Sequence, residues 1–337
     1  MKRSLCVLFL AVMSLSVAAQ QRAQYTQYIF NNYLLNPAVS GIENYTDLKG
    51  GYRSQWSGLE GAPVTSYISI HAPIGKNFIN SSANSFPSDG NNPMSRSFLQ
   101  TYAAAEPHHG VGLQAVFDET GPLRRTDVSL SYAYHLGVTE VLNVSFGVAA
   151  GFSKIDLDIS QVNLGENAND PAILASQNSN TKPDLGAGIW IYGPRYFIGV
   201  SALQLLGQNL SFTDDKAYDQ GKLAPHFFTT AGYKFYLGDD FAAIRSAMIK
   251  HVSPAPTSVD LNLKVAFRDK FWLGGGYRVN DSFSAMAGMN ISHLFNLSYS
   301  YDYTTSGLNA VSSGSHEVVL GLLLNNRYKV TCPQRSF

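Results

Sequence analysis

The sequence predicts an all-β protein, a transmembrane antiparallel β-barrel of about fourteen strands set in an outer membrane. Three observations carry this expectation. Apolar and polar residues alternate in run after run of about ten residues, the strand length of such barrels. No stretch reaches the roughly 18 consecutive apolar residues of a membrane helix, and the nearest, 318–324, is strand length. The chain also begins like an exported protein. Composition agrees: of 337 residues 45% are hydrophobic and only 14% charged, below the roughly 25% charged of ordinary soluble domains. The 24 Lys+Arg balance 24 Asp+Glu, so no basic patch invites nucleic acid. Plentiful aromatic and branched apolar residues exclude a disordered chain.

Residues 1–19 read as a signal peptide: basic Lys2-Arg3, an apolar core from Leu5 to Met13, then small Val17-Ala18-Ala19. Cleavage after Ala19 would remove Cys6 and leave Cys332 alone, so no intramolecular disulfide is expected. Residues 20–45 come next. Within them Gln24–Ala38 is aromatic, amide-rich and nearly uncharged, and its rings need somewhere to bury. Pro37 and Ser40-Gly41 make it a poor first strand. It is expected in the periplasm against a partner, or docked in the barrel lumen.

The barrel is expected over 46–326. Its strands fall near 46–56, 64–74, 110–118, 125–137, 142–155, 184–193, 195–205, 225–238, 241–252, 257–268, 270–279, 282–292, 295–303 and 316–326. The tenth shows the pattern well: Val259, Leu261, Leu263, Val265 and Phe267 alternate with Asp260, Asn262, Lys264 and Arg268. Side chains alternate faces along a strand, so one face is apolar and the other charged. Val128, Leu130, Tyr132, Tyr134 and Leu136 alternate with Asp127, Ser129, Ser131 and His135 in the same way, and the aromatic run to Tyr303 does so with Asn296, Ser298, Ser300 and Asp302. The pattern is weakest at 241–252, where Arg245 and Lys250 fall on opposite faces. A soluble sandwich would alternate too, but its polar face would be rich in Lys, Glu and Thr; here it is mostly Ser, Asn and Gly.

Tight turns near 139–141, 193–194, 238–240, 269 and 293–294 contrast with long polar loops at 156–183, 206–224 and 304–315. Short turns at one end and long loops at the other are the outer-membrane pattern, with both termini, including the tail 327–337, in the periplasm. Residues 75–109 break it, as a long Ser/Asn/Pro-rich insertion at the short-turn end.

Catalytic and metal motifs are weak, and no cofactor is expected. The eight His residues show no metal-protease or Cys/His spacing, and His108-His109 is read as a solvated loop pair. Asp156-x-Asp158-x-Ser160 starts like a calcium loop, but Gln161 and Asn167 stand where Gly and Glu are needed. Gly274-Gly275-Gly276 and Gly186-Ala187-Gly188 lie inside strands, where glycine allows bending or close packing.

Several motifs taken together resemble the PorP/SprF family of outer-membrane proteins of the type IX secretion system. They are Gln27-Tyr28-Ile29-Phe30-Asn31 leading into Asn36-Pro37-Ala38-x-x-Gly41, then Tyr52-Arg53-Ser54-Gln55-Trp56-x-Gly58, then Gly61-Ala62-Pro63-x-Thr65 and Ser69 to Pro73. At the other end stand Ser315-His316-Glu317 and Cys332-Pro333. The resemblance implies a non-enzymatic barrel from Bacteroidota. It would assist export or surface attachment of cargo such as adhesins with a C-terminal secretion domain, in some relatives for gliding motility. The partners implied are the secretion machinery, that cargo at loops 156–183, 206–224 and 304–315, and outer-membrane lipid.

Tyr28, Phe30, Asn36, Pro37, Arg53, Trp56, Pro63, His316 and Glu317 are the motif residues expected to meet a partner or the lumen. For Arg53 a lumen carboxylate and for Trp56 an interfacial anchor are equally good readings. Two alternatives remain open. A passive porin-like channel would have Lys49, Arg53, Asp260, Lys264 and Arg268 facing its lumen, and a barrel enzyme would need a site assembled across strands.

Overall fold

The structure, a computed structural model, describes residues 22–75, 86–87, 102–158, 179–210, 221–268, 270–326 and 330–331. Fourteen antiparallel strands close into one barrel. They are β1 Thr46–Ser54, β2 Val64–Ile74, β3 His108–Thr120, β4 Leu123–Gly137, β5 Asn143–Leu157, β6 Ser179–Tyr192 and β7 Tyr196–Leu203, followed by β8 His226–Leu237, β9 Phe241–Val252, β10 Ala255–Phe267, β11 Phe271–Arg278, β12 Ser282–Asn290, β13 Phe295–Thr304 and β14 Ser315–Leu324. Each strand pairs with its neighbours in sequence, and β1 closes the cylinder on β14, from Thr46 opposite Leu324 to Ser54 opposite His316. Closure satisfies every strand edge, which an apolar solvent demands.

The alternation decides which way each strand faces. Leu261, Leu263 and Val265 of β10 are exposed, while Asp260 and Lys264 are buried. The apolar face is therefore the outer one, inverted from a soluble protein, as lipid requires. Aromatic rows border this surface. At the end with tight turns, Phe241 packs on Phe267 at 4.9 Å and Phe267 on Phe271 at 5.2 Å; toward the loop end, Tyr277 stacks on Phe283 at 4.7 Å. Such belts suit the two bilayer interfaces.

Two expectations need correction. Arg268 does not face the lumen. Its φ is 47°, because the turn after β10 begins there, and its guanidinium pairs outside with Asp240 at 2.8 Å. His108-His109 is not a loop pair but opens β3; period-2 geometry puts His108 inside and His109 outside against Tyr132. The stretch 241–252, where the pattern is weakest, is a strand as expected: Lys250 turns inward while Arg245 lies outside, 5.4 Å over the Phe235 ring, and the register shifts only between Lys250 and Val252.

Of the insertion 75–109, Phe86-Pro87 pairs with Val330-Thr331. Residues 102–107 tuck under the short-turn end, where the Ala105 N–H donates to Asn143 Oδ1 at 2.8 Å and Asn143 donates to the Tyr102 hydroxyl at 3.0 Å. The signal peptide 1–19, Cys332, most of loops 156–183 and 206–224, and all but the first residues of the calcium-like stretch lie outside the described residues.

Candidate functional site

A fourteen-strand cylinder is wider than the eight-strand barrels whose own side chains fill them. Here the chain fills its lumen with the segment before β1. Three successive 3-10 turns, Gln27–Ile29, Asn32–Leu34 and Pro37–Val39, fold residues 22–45 into a plug. Nearly every plug residue from Tyr25 to Tyr45 is buried. A sequence so rich in aromatic rings and amides suits this place: rings bury against one another, and the Asn31 and Asn36 amides find hydrogen bonds on the inner wall, at Ser69 and at the Ile189 carbonyl. Asn36 caps the third turn, its Oδ1 accepting from the Ala38 N–H at 3.0 Å, with Pro37 at the first position.

The plug runs from the loop end to the turn end. Near the loop end the Arg22 N–H donates to His226 Nε2 at 3.2 Å, and the Arg22 guanidinium lies 3.8 Å from Asp127. An ion-pair latch comes next. Arg53 of β1, 2% exposed, reaches Asp302 of β13 at 2.8 Å and Glu317 of β14 at 3.2 Å. The plug enters this triad directly. The Thr26 hydroxyl accepts from Arg53 at 3.0 Å and donates to Asp302 at 2.7 Å. Glu317 accepts from the Thr26 N–H at 2.8 Å and the Gln27 N–H at 3.2 Å. Across the lumen Asn262 donates to the Tyr28 hydroxyl at 2.6 Å, and Arg278, paired with Asp260 at 2.9 Å, reaches the Tyr25 carbonyl at 3.4 Å. Burial raises the phenols of Tyr25, Tyr28 and Tyr33 above their ordinary value, Tyr33 to about 12, so they remain protonated hydrogen-bonding groups.

Lower down, glycines in the wall make room for backbone. A Cβ on Gly147 would lie 2.3 Å from the Ala38 nitrogen, and one on Gly110 would lie 1.9 Å from the Ser40 oxygen. Wall serines fasten the segment brought so close. Ser201 donates to the Leu35 carbonyl at 2.6 Å, Ser145 to the Ala38 carbonyl at 2.7 Å, and Asn36 to the Ile189 carbonyl at 3.0 Å. His135 donates to the Ser40 carbonyl at 2.8 Å, and its ring stacks on His108 at 4.5 Å. Glu43, Asp47 and His71 bring ligand atoms within 4.8 Å of one another, the arrangement closest to a metal site among the described residues. Lys49 already pairs with Asp47, and His71 Nδ1 accepts the Gly41 N–H at 3.2 Å. The group works as a polar lock on the plug's exit into β1.

The candidates named from sequence thus divide. Tyr28, Phe30, Asn36 and Pro37 lie in the plug, Arg53 and Glu317 on the wall that grips it. Trp56, at φ 49°, sits at the loop-end rim, its backbone N–H donating to Ser315 Oγ at 3.0 Å. Pro63 immediately precedes β2 there, and its carbonyl accepts from the Gln55 N–H at 2.9 Å. His316 faces outward beside Tyr299 at 2.7 Å, apart from the lumen. The motifs do not mark Asp302, Asn262, His135, Gly110 or Gly147 as site residues, although inward parity places Asp302, Asn262 and His135 in the lumen.

A closed barrel with an apolar exterior and a lumen filled by its own chain defines a membrane protein of the outer-membrane type. The chain belongs to the PorP/SprF family of type IX secretion system membrane proteins, whose family model matches residues 17–322. Solved structures share the fold alone. Omp33 of Acinetobacter baumannii is 9% identical at a TM-score of 0.47, covering 85% of this chain and 100% of its own. The toluene transporter TbuX of Ralstonia pickettii is 12% identical at 0.48, covering 87% and 93%. Comparison with curated proteins gave no match.

Proposed function

We propose that this protein is a plugged outer-membrane platform. It assists the type IX machinery in exporting particular cargo or holding it at the surface. Adhesins with a C-terminal secretion domain are the cargo class and gliding motility the wider process. The turn end faces the periplasm and the machinery, and loops 156–183, 206–224 and 304–315 meet cargo outside. A rigid wall with variable loops is a common way to present a binding surface. The family carries the secretion role; the plug, latched to three strands at Arg53, Asp302 and Glu317, supports a platform over a passive channel. The rim beside that latch is ordered. Ser57 and Gly314 share a 2.7 Å backbone hydrogen bond, as do Ser313 and Ser57, so the 304–315 loop is tied to the turn after β1.

Shortening 206–224 tests the reading. Surface display of cargo, read by protease accessibility on whole cells, is expected to fall to background while barrel abundance in the outer membrane stays unchanged. Undiminished display would remove that loop from the cargo surface.

A further inference from the structure

The outer face of the barrel carries one anomaly. On the described strands, other outward-facing charged side chains, such as Glu119, Arg124, Lys154 and Asp156, cluster near the loop end. Arg245 does not. It lies four residues into β9 from Phe241 of the turn-end aromatic row, about 13 Å along the strand. It is exposed, and among the described residues it contacts the Phe235 ring but no carboxylate. An ionisable side chain at this depth is costly unless something answers its charge, and so points to function. Phe235 lies on the turn-end side of Arg245, so the guanidinium leans toward the nearer interface, as snorkelling side chains do.

Arg245 also stands at one edge of a concavity of about 950 Å³ on the lipid face. Small residues, Ala231, Ala247 and Gly275, line it together with Tyr233, Tyr277 and Phe283, and Leu261 and Leu263 of β10 stand between Ala247 and Gly275. The slot is apolar, and its one full charge is a cation held at the side nearer the turn-end interface. We propose that this slot holds one anionic glycerophospholipid, its acyl chain lying over Ala231, Ala247 and Gly275 and its phosphate paired with Arg245. Charge and shape together favour a lipid. A phosphate drawn down toward the leaning guanidinium would answer its charge, and the apolar concavity has room for a chain. The site rests on the barrel standing in a membrane, not on its cargo role.

The test is native mass spectrometry of the full chain, extracted in mild detergent and supplied with phosphatidylglycerol or phosphatidylcholine. The wild type is expected to retain one phosphatidylglycerol preferentially. Arg245→Gln should lose that preference about tenfold, Arg245→Lys should keep part of it, and Gly275→Leu should weaken retention with the charge intact. Heat-dependent gel mobility checks that each variant forms the closed barrel. Equal retention of the two lipids by the wild type, or an unchanged preference in Arg245→Gln, overturns the proposal and leaves only annular lipid.

Discussion

Replacing Arg53 by alanine is expected to open the barrel. In planar bilayers the wild-type protein should pass little current, because residues 22–45 occupy the lumen; Arg53→Ala should show large, fluctuating openings. The cause is electrostatic. Asp302 and Glu317 are both at most 2% exposed and share a single guanidinium. Removing one partner of a buried ion pair costs about 3–5 kcal/mol, since the remaining charge stays unanswered; here two carboxylates remain. The cheapest relief is water, and water enters most readily by displacing Thr26 and Gln27, whose N–H groups now bond Glu317. The plug would therefore loosen from the loop end downward. Arg53→Lys should be intermediate: it restores a charge but not the fork that reaches Asp302, Glu317 and Thr26 together. If Arg53→Ala stays as silent as the wild type while its thermal unfolding temperature falls, the triad only joins strands and does not hold the plug.

This architecture also explains how far the sequence could be read. Lipid imposes period-2 alternation on every strand, so Val259 to Phe267 and Phe295 to Tyr303 announce the barrel and its outward face. The plug announces itself by aromatic rings and amides without charge or strand pattern, which shows that it must bury but leaves lumen and periplasm equally open as its place. Its partners are distant in sequence: Thr26 meets Asp302 across 276 residues and Tyr28 meets Asn262 across 234. Parity alone places these side chains inside but says nothing of their height or angle round the cylinder. Register supplies both, and register depends on the whole closed sheet. Arg268 misled for a related reason. Its parity is that of a lumen residue, but the strand had already ended at Phe267, and a boundary error of one residue reverses a face. The direction of the plug was equally hidden. Strand termini at Thr46 and Leu324 share the turn end, as expected of such barrels, yet Arg22 lies toward the loop end beside His226.

A second opening should follow from a wedge that alters no charge. Gly147 faces inward on β5, and a side chain there would press on backbone: its Cβ would stand 2.3 Å from the Ala38 nitrogen and 2.4 Å from the Ala38 Cα. A flexible side chain could swing away, but the plug backbone is pinned on both sides, by Asn36 to Ile189 and by Ser145 to the Ala38 carbonyl. Gly147→Val is therefore expected to unseat residues 36–40 and give conductance while Arg53, Asp302 and Glu317 remain intact. The matched control is Gly50→Val on the outer face, where a Cβ meets nothing nearer than 3.9 Å and a β-branched residue suits a strand; it should stay silent. The two plug variants separate latch from seat. If both conduct, two distant anchors hold one plug, and the combined variant should conduct no more than the more open single one. If Gly147→Val folds, by heat-dependent gel mobility, yet passes no more current than Gly50→Val, the lower plug has slack to yield, and the close glycine packing does not seal the lumen.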